Sequence, residues 1–469
     1  MGLAPDGGLF VPEEIPASGI SPDELLAMDQ YEITSRILAK MLPDLSFEAV
    51  DDAVRSGYAG KFPSDNLTPL VDTKSCSVLE LYHGPTCAFK DMALCLLPRL
   101  IAASCRKNGI EENVLILTAT SGDTGKAALA GFADAPQTGI MVFFPRDGVS
   151  EVQKLQMTTQ EGKNVCVCSV IGNFDDAQRG VKKVLNELKC DGLRLSSANS
   201  INIGRLAPQI AYYYKAYADM VKQGKVTYGD EVDFVVPTGN FGNILAGYLA
   251  KRMGLPVGKL VCASNSNRVL TDFITTGVYD RRREFYLTPS PSMDILVSSN
   301  LERLLFFACD GDDKTVASLM ESLDKNGFYK APDDMMEAIR RDFLCGCTDD
   351  NECLAEIKKL WDEEGYLMDP HTAIGYHVFR KLKESGEIKN PAVVLSTASP
   401  YKFSPSMLRA FGFEEDMNGF DATDKLYELT GMEIPDGLRG LRKKKVLHTD
   451  VIDGNGILEY VKGKVESFR

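Results

Sequence analysis

The sequence predicts an α/β protein, with two doubly wound α/β domains enclosing a cleft and a helical N-terminal region ahead of them. Three observations carry that prediction. Short apolar runs alternate with amphipathic helical stretches along most of the chain, the pattern of parallel sheets covered by helices on both faces. Seven such runs are present, a number that suits two sheets better than one. The chain has 469 residues, 44% of them hydrophobic, which is enough to bury more than one core.

From the N-terminus, Pro5-Asp6-Gly7-Gly8 is turn chemistry. Ser21, Pro22 and Glu24 form a capping box with proline at the first helical position. Ile33, Ile37, Leu38 and Met41 then follow helical spacing, so residues 1–65 are expected to be helical. The first α/β domain is expected over 66–225 and the second over 226–469. The expected strands are Val114–Thr118, Met141–Phe144, Val165–Val170, Leu193–Ser196, Val232–Val236, Leu260–Ala263 and Ala392–Leu395. Helices fall between them, for instance at Arg179–Leu188 and Ile210–Lys222, with Pro208 expected at a first turn or a kink. Asp333–Ser385 reads as almost entirely helical, and the tail after Gly419 as mixed.

Lys and Arg total 52 against 66 Asp and Glu, a net charge of −14, which argues against a nucleic-acid or anionic-membrane partner. Arg442-Lys443-Lys444-Lys445 reads as a solvated surface run. No stretch approaches the ~18 apolar residues of a membrane span, and the first residues lack the features of a secretory signal. Twelve Cys without a Cys-x-x-Cys and only four His point to reduced thiols, no metal site and a cytoplasmic protein. No protein partner is evident.

Ligands on such folds bind where strands lead into helices, and several of these loops are candidates. Thr118–Gly125 precedes the helix Lys126–Phe132. Its Gly122 and Gly125 permit close backbone approach, and its hydroxyls and helix-start amides suit a carboxylate or phosphate. A plain capping turn is the alternative. Gly239-Asn240-Phe241-Gly242-Asn243, before Ile244–Arg252, is a second anion nest or a structural turn. Ser197–Arg205 offers small polar groups and Arg205, either for a phosphate or for a surface carboxylate. In His83–Asp91, Lys90 is either a solvated partner of Asp91 or an amine desolvated by Cys87, Ala88 and Phe89. The Thr397 hydroxyl in Leu395–Pro400 either bonds a ligand ring atom or caps a turn. Asp369 and Pro370 start a helix, and His371 is read as structural or as support for the site.

Taken in order, His83–Asp91, Ser121–Gly125, Asn199–Arg205, Gly239–Asn243, Asp369–Ala373 and Ser396–Pro400 closely resemble the threonine synthase family. Leu3–Pro12 and Gln153–Thr159 extend the resemblance over most of the chain. These are fold-type II pyridoxal-phosphate (PLP) enzymes, so the resemblance implies a tryptophan synthase β-like fold with PLP in the cleft. Lys90 would bond covalently to PLP and move protons at substrate carbons. Gly239, Asn240, Phe241, Gly242 and Asn243 would hold the PLP phosphate, and Thr397 would face the pyridine nitrogen. Asp123 takes the place where related enzymes often have Asn near the PLP 3′-oxygen. Thr120, Ser121 and Thr124 would grip the substrate α-carboxylate, and Asn199, Ser200, Asn202 and Arg205 its phosphate.

The implied reaction is a β,γ-replacement that converts O-phospho-L-homoserine and water to L-threonine and phosphate. The same residues would serve a phospho-lyase that releases 2-oxobutyrate from O-phosphohomoserine or phosphothreonine. A non-catalytic PLP- or anion-binding protein is a third reading, which the intact Lys90 opposes. The family carries a further short segment with Ser-Thr-Arg-Gly ahead of the part resembling Leu3–Pro12, and this sequence begins after it.

Overall fold

A computed structural model describes residues 4, 6–120, 122–147, 149–413 and 417–469. Pro5 and Leu3, within the expected N-terminal turn and the family-like stretch, lie outside the described residues. The capping box forms as the sequence predicts, with the Ser21 hydroxyl accepting from the Glu24 amide and the Glu24 carboxylate accepting from the Ser21 amide. Helices Gln30–Met41 and Phe47–Tyr58 each bury one face, Ile33, Ile37 and Leu38 on the first and Val50, Ala53 and Val54 on the second. The first of them lies along a long helix, Ile203–Lys222.

Thirteen strands are described: β1 (Leu70–Asp72), β2 (Ser77–Glu80), β3 (Asn113–Ala119), β4 (Thr138–Pro145), β5 (Val165–Ile171), β6 (Leu193–Ser196), β7 (Val232–Pro237), β8 (Val257–Ser264), β9 (Val278–Asp280), β10 (Phe328–Lys330), β11 (Phe343–Cys347), β12 (Ala392–Ser396) and β13 (Asp450–Asp453). All seven expected strands are among them. One sheet has the order β1-β2-β12-β7-β8-β11, parallel except for the β1–β2 hairpin. The other, β13-β5-β4-β3-β6, is wholly parallel. A small antiparallel pair joins β9 and β10.

Both main sheets are covered on both faces, which is why their strands read as continuous apolar runs. In β3, Val114 and Ile116 enter one core while Leu115 and Leu117 enter the other. In β12, Val393 and Leu395 alternate with Ala392 and Val394 in the same way. All twelve cysteines are unpaired thiols. No helix among the described residues is long and apolar enough to cross a membrane.

Three expectations need correction. The sheets do not follow the division at residue 225, because β1 and β2 join β12 and β7, and β13 closes the sheet built from β3–β6. Strand pairing over such distances leaves no mark in local composition. Pro208 lies inside Ile203–Lys222, in its second turn, where it forfeits one backbone bond. Burial of sixteen of that helix's twenty residues offsets the loss. Asp333–Ser385 is interrupted by β11, whose sequence Phe-Leu-Cys-Gly-Cys pairs with β8 at the sheet edge.

The topology gathers the candidate loops. β3 and β6 are neighbours in one sheet, and β7 and β12 in the other, so four loops leave the carboxyl ends of adjacent parallel strands.

Candidate active site

Lys90 is held by the segment that follows β12. The Phe89 amide donates to the Thr397 carbonyl at 2.8 Å, the Ser399 amide donates to the Cys87 carbonyl at 3.0 Å, and Ala88 bridges Ala398. Asp91 does not pair with Lys90. Its carboxylate accepts from the Thr86 amide at 2.8 Å and the Thr86 hydroxyl at 2.5 Å, and it is buried. The Lys90 Nζ instead lies 3.3 Å from the Ser292 Oγ and 3.7 Å from the Asp123 Oδ2. Burial pulls the Lys90 pKa down. Asp123 opposes that, Lys402 and Arg205 reinforce it, and the net direction is below an ordinary lysine.

After β3, the chain turns on Thr120, whose Oγ1 accepts from the amides of Gly122 (3.0 Å) and Gly125 (2.9 Å). Two donors expected to face an anion are thus committed inside the loop. Gly122 has φ +145°, and a Cβ there would lie 2.5 Å from the Gln153 side chain, so only glycine fits. Asp123 opens the helix Asp123–Phe132. Its Oδ1 lies 2.8 Å from the Lys402 Nζ and accepts from the Gln153 Nε2 at 3.0 Å, and its Oδ2 lies 3.4 Å from the Ser292 Oγ. Burial raises the Asp123 pKa, but Lys402 and Lys90 outweigh it and hold the carboxyl well below the usual range. Thr124 is half-buried one residue on, and Ser121 lies outside the described residues.

After β6, the Asn202 side chain caps the helix Ile203–Lys222, with its Oδ1 accepting from the Gly204 amide at 2.9 Å and its Nδ2 donating to the Ser197 carbonyl at 3.2 Å. Asn199 and Ser200 are half-buried, and the Ser200 carbonyl accepts from the Asn300 Nδ2 at 3.3 Å. Arg205 is buried and does not reach the surface, so a surface carboxylate is not its partner. Its Nη1 donates to the Ala198 carbonyl at 2.7 Å, and its Nε has no partner among the described residues. Burial pushes its pKa down to about 10.

After β7, Phe241 takes the left-handed conformation (φ +63°) and starts the helix Gly242–Arg252, whose first turn has no side-chain cap. A Cβ on Gly239 would lie 2.8 Å from the Ser292 carbonyl oxygen. The carbonyls of Gly239 and Asn240 accept from the Ser298 hydroxyl (2.7 Å) and the Asn300 Nδ2 (3.0 Å). The Asn243 Oδ1 accepts from Tyr212 (2.5 Å) and Tyr213 (3.0 Å), leaving its buried Nδ2 unpartnered among the described residues. An uncapped helix start beside an orphaned amide donor fits a bound phosphate.

Four residues at the site were not singled out from the sequence. Ser292 sits between Lys90 and Asp123, and its amide donates to the His371 Nε2 at 3.2 Å. The His371 Nδ1 lies 2.7 Å from the Asp369 Oδ1, so this network assigns the imidazole proton to Nδ1 and fits the supporting role expected of His371. The Thr397 amide donates to the Thr372 Oγ1 at 3.3 Å, and the Thr372 hydroxyl bonds Asp369 in turn. Lys402 is fully buried. Asn300 and Arg303 tie loops together, with Arg303 donating to the carbonyls of Phe10 (2.9 Å) and Ile201 (2.6 Å) and to the Asn300 Oδ1 (2.5 Å). One signal was readable in advance: a lysine two residues after Pro400, flanked by Tyr401 and Phe403 just behind an apolar strand.

Comparison with known proteins identifies the family. Residues 61–399 match the family of pyridoxal-phosphate dependent enzymes, and residues 372–453 match the C-terminal region of threonine synthase. The chain is 38% identical over 436 residues to threonine synthase-like 1 of Homo sapiens, covering 88% of this chain and 57% of that protein. It therefore spans little more than half the length of that relative. It is 37% identical to the threonine synthase of Schizosaccharomyces pombe, covering 89% of this chain and 87% of that one. The crystal structure of PLP-bound threonine synthase from Brucella melitensis superposes with a TM-score of 0.87 at 38% identity, covering 100% of this chain and 95% of that one. By sequence and fold, the chain belongs to the threonine synthase family of PLP-dependent, fold-type II enzymes.

Proposed function

We propose that the protein is a threonine synthase, converting O-phospho-L-homoserine and water to L-threonine and phosphate. The observation that carries this reading is a pair of buried donors without partners among the described residues, in the first turns of helices that follow strands of opposite sheets, the Asn243 Nδ2 after β7 and the Arg205 Nε after β6. Two phosphates, one on the cofactor and one on the substrate, would satisfy both.

Lys90 would anchor PLP, the Gly239–Asn243 loop would hold its phosphate, and Thr397 would offer its hydroxyl to the ring. Bound PLP supplies an electron sink that stabilises negative charge at the substrate carbons. The remaining work falls to the protein. Lys90, its pKa lowered by burial, gives up its own proton more readily than an ordinary lysine and so is suited to accept the Cα proton and return protons along the substrate chain. Ser292, 3.3 Å from the Lys90 Nζ, gives that nitrogen a hydrogen-bond partner, and the His371–Asp369 pair fixes Ser292 in place. Arg205 binds the γ-phosphate and steadies it as it leaves. Asn202 serves by capping the Arg205 helix, Thr120 by shaping the Gly122–Gly125 turn, and Asn199, Ser200 and Thr124 line the substrate side. Water adds at Cβ and Cγ gains a proton, so atoms balance with phosphate as the other product.

Incubating the PLP-loaded full chain with O-phosphohomoserine and separating the products tests the assignment. Threonine and phosphate in equal amounts are expected. 2-Oxobutyrate as the main product would replace this reading with phosphate elimination. Arg205→Ala is expected to weaken phosphorylated-substrate binding by about 1.5–3 kcal/mol, the range for a hydrogen bond to a charged group. Lys90→Ala is expected to lose both turnover and the visible absorbance of the lysine–PLP link.

A further inference from the structure

A buried charge cluster crosses from one sheet to the other behind Lys90. Lys402 comes from the turn after β12, and its side chain is 0% exposed. Its ammonium donates to the Thr86 carbonyl at 2.8 Å and pairs with the Asp123 Oδ1, also at 2.8 Å. With Gln153 on the same oxygen, Oδ1 is fully engaged, and the other oxygen, Oδ2, is the one presented to Lys90 and Ser292. Asp123 thus lies between two buried lysines and balances only one of them. A fully buried ammonium with its only carboxylate shared in this way is costly unless the charge has a use.

We propose that Lys402 is a positioning residue for the Lys90 nitrogen. It turns the Asp123 Oδ2 toward that nitrogen and sets a second buried lysine on the same carboxylate, which weakens that nitrogen's hold on a proton. The inference rests on the assignment of Lys90 as the PLP-bonding lysine. The charged groups around Lys90 are Asp123 on the Asp123–Phe132 helix, Lys402 after β12, Arg205 on the Ile203–Lys222 helix and Asp91 on its own helix. Around Lys402 are Asp123, Asp91, Lys126 and the Cys87 thiol. Asp91 is occupied by Thr86, and Lys126 donates to the Gln160 Oε1 at 2.6 Å, so Lys402 is the cation that contacts the same carboxylate as Lys90. Removing it withdraws a repelling charge from Lys90 and leaves Asp123 to Lys90 alone. Both changes favour the protonated nitrogen.

The test is a pH titration of the visible absorbance band of the PLP-loaded full chain, in which the lysine–PLP nitrogen itself is read out. Lys402→Met is expected to raise the midpoint by about one pH unit or more, while Lys402→Arg, which keeps the charge, stays closer to the parent. Asp123→Asn is compared with the double variant Asp123→Asn/Lys402→Met, because removing both charges leaves no uncompensated ion if Lys402→Met alone fails to fold. The double variant is expected to titrate at higher pH than Asp123→Asn. Equal midpoints within either pair, in protein that carries the band, overturn the role of Lys402 and leave the assignment of Lys90 intact. A parent protein that forms no band with PLP overturns the assignment of Lys90, and this inference with it.

Discussion

The loops after β3 and β7 are written in the same grammar, a strand, two glycines three apart with polar neighbours, then a helix. The structure uses them in opposite ways. In the first, the Thr120 hydroxyl takes up the amides of Gly122 and Gly125, and Asp123 is matched by Lys402 and Gln153. In the second, the helix start is uncapped and the Asn243 Nδ2 has no partner among the described residues. One loop spends its donors on itself in order to hold a carboxylate in place. The other leaves a donor unspent, as the proposed phosphate site requires. An anion nest is therefore identified by which donors remain unsatisfied after folding, and glycine spacing alone cannot report that.

The largest effect that would sharpen this contrast is expected from Gly239→Val. A Cβ at Gly239 meets backbone on the far side, the Ser292 carbonyl oxygen at 2.8 Å and the Met293 Cα at 3.2 Å, so neither can yield as a side-chain tip would. PLP binding by equilibrium titration should fall by ~100-fold or more, a loss of about 3 kcal/mol within the range for overpacking. Asn243→Asp comes next. It keeps an acceptor for Tyr212 and Tyr213 but puts a carboxylate oxygen where a phosphate would sit. PLP affinity should fall by ~10-fold or more through like-charge repulsion, with thermal stability of the PLP-free protein nearly unchanged.

Thr120→Val should do the reverse. It strands two buried amides, so urea unfolding should show a loss of about 1–3 kcal/mol, with PLP affinity changed less than in Asn243→Asp. If Thr120→Val instead weakened PLP binding more than Asn243→Asp did, the contrast between the loops would be broken. The smallest effect is on acid sensitivity. Because the Asp123 carboxyl is held below its unfolded value of about 3.9, its contribution to stability is complete above that pH and is lost as pH falls below it. The melting temperature of the parent should therefore drop more steeply than that of Asp123→Asn as pH is lowered from about 5 to about 3.

Local pattern was enough for the parts of the molecule buried on both faces. The apolar runs at β3, β4, β5, β7, β8 and β12 were legible because both sides of each strand meet a core, while β6, at a sheet edge with Arg194 exposed, was legible from Leu193 and Leu195. β9, β10 and β13 are three or four residues long, and β11 carries glycine and two cysteines between helices, so none of these offered a run to read. At the site, Lys90, Asp123, Arg205 and the Gly239–Asn243 loop stood out because they follow strands. Ser292, Asn300, Arg303 and Lys402 did not, because each sits in or beside irregular chain and meets its site neighbours when segments sixty or more residues apart come together. Asn202 and Thr120 were legible as polar residues but not as the internal fasteners they are, since a side chain that caps its own loop looks the same in sequence as one that awaits a ligand.

The order β1-β2-β12-β7-β8-β11 also governs how the protein comes into being. Until residue 392 leaves the ribosome, the larger sheet exists as two pieces, the β1–β2 hairpin and the β7-β8-β11 group, with no strand to join them. β12 is the keystone, and the residues just behind it are Thr397 and Lys402, which dock on the loop carrying Lys90. Closing the sheet and docking Thr397 and Lys402 on the loop that carries Lys90 therefore both require the same late stretch of chain. A nascent chain cut short before that point has an unjoined sheet and no place to keep a reactive aldehyde cofactor.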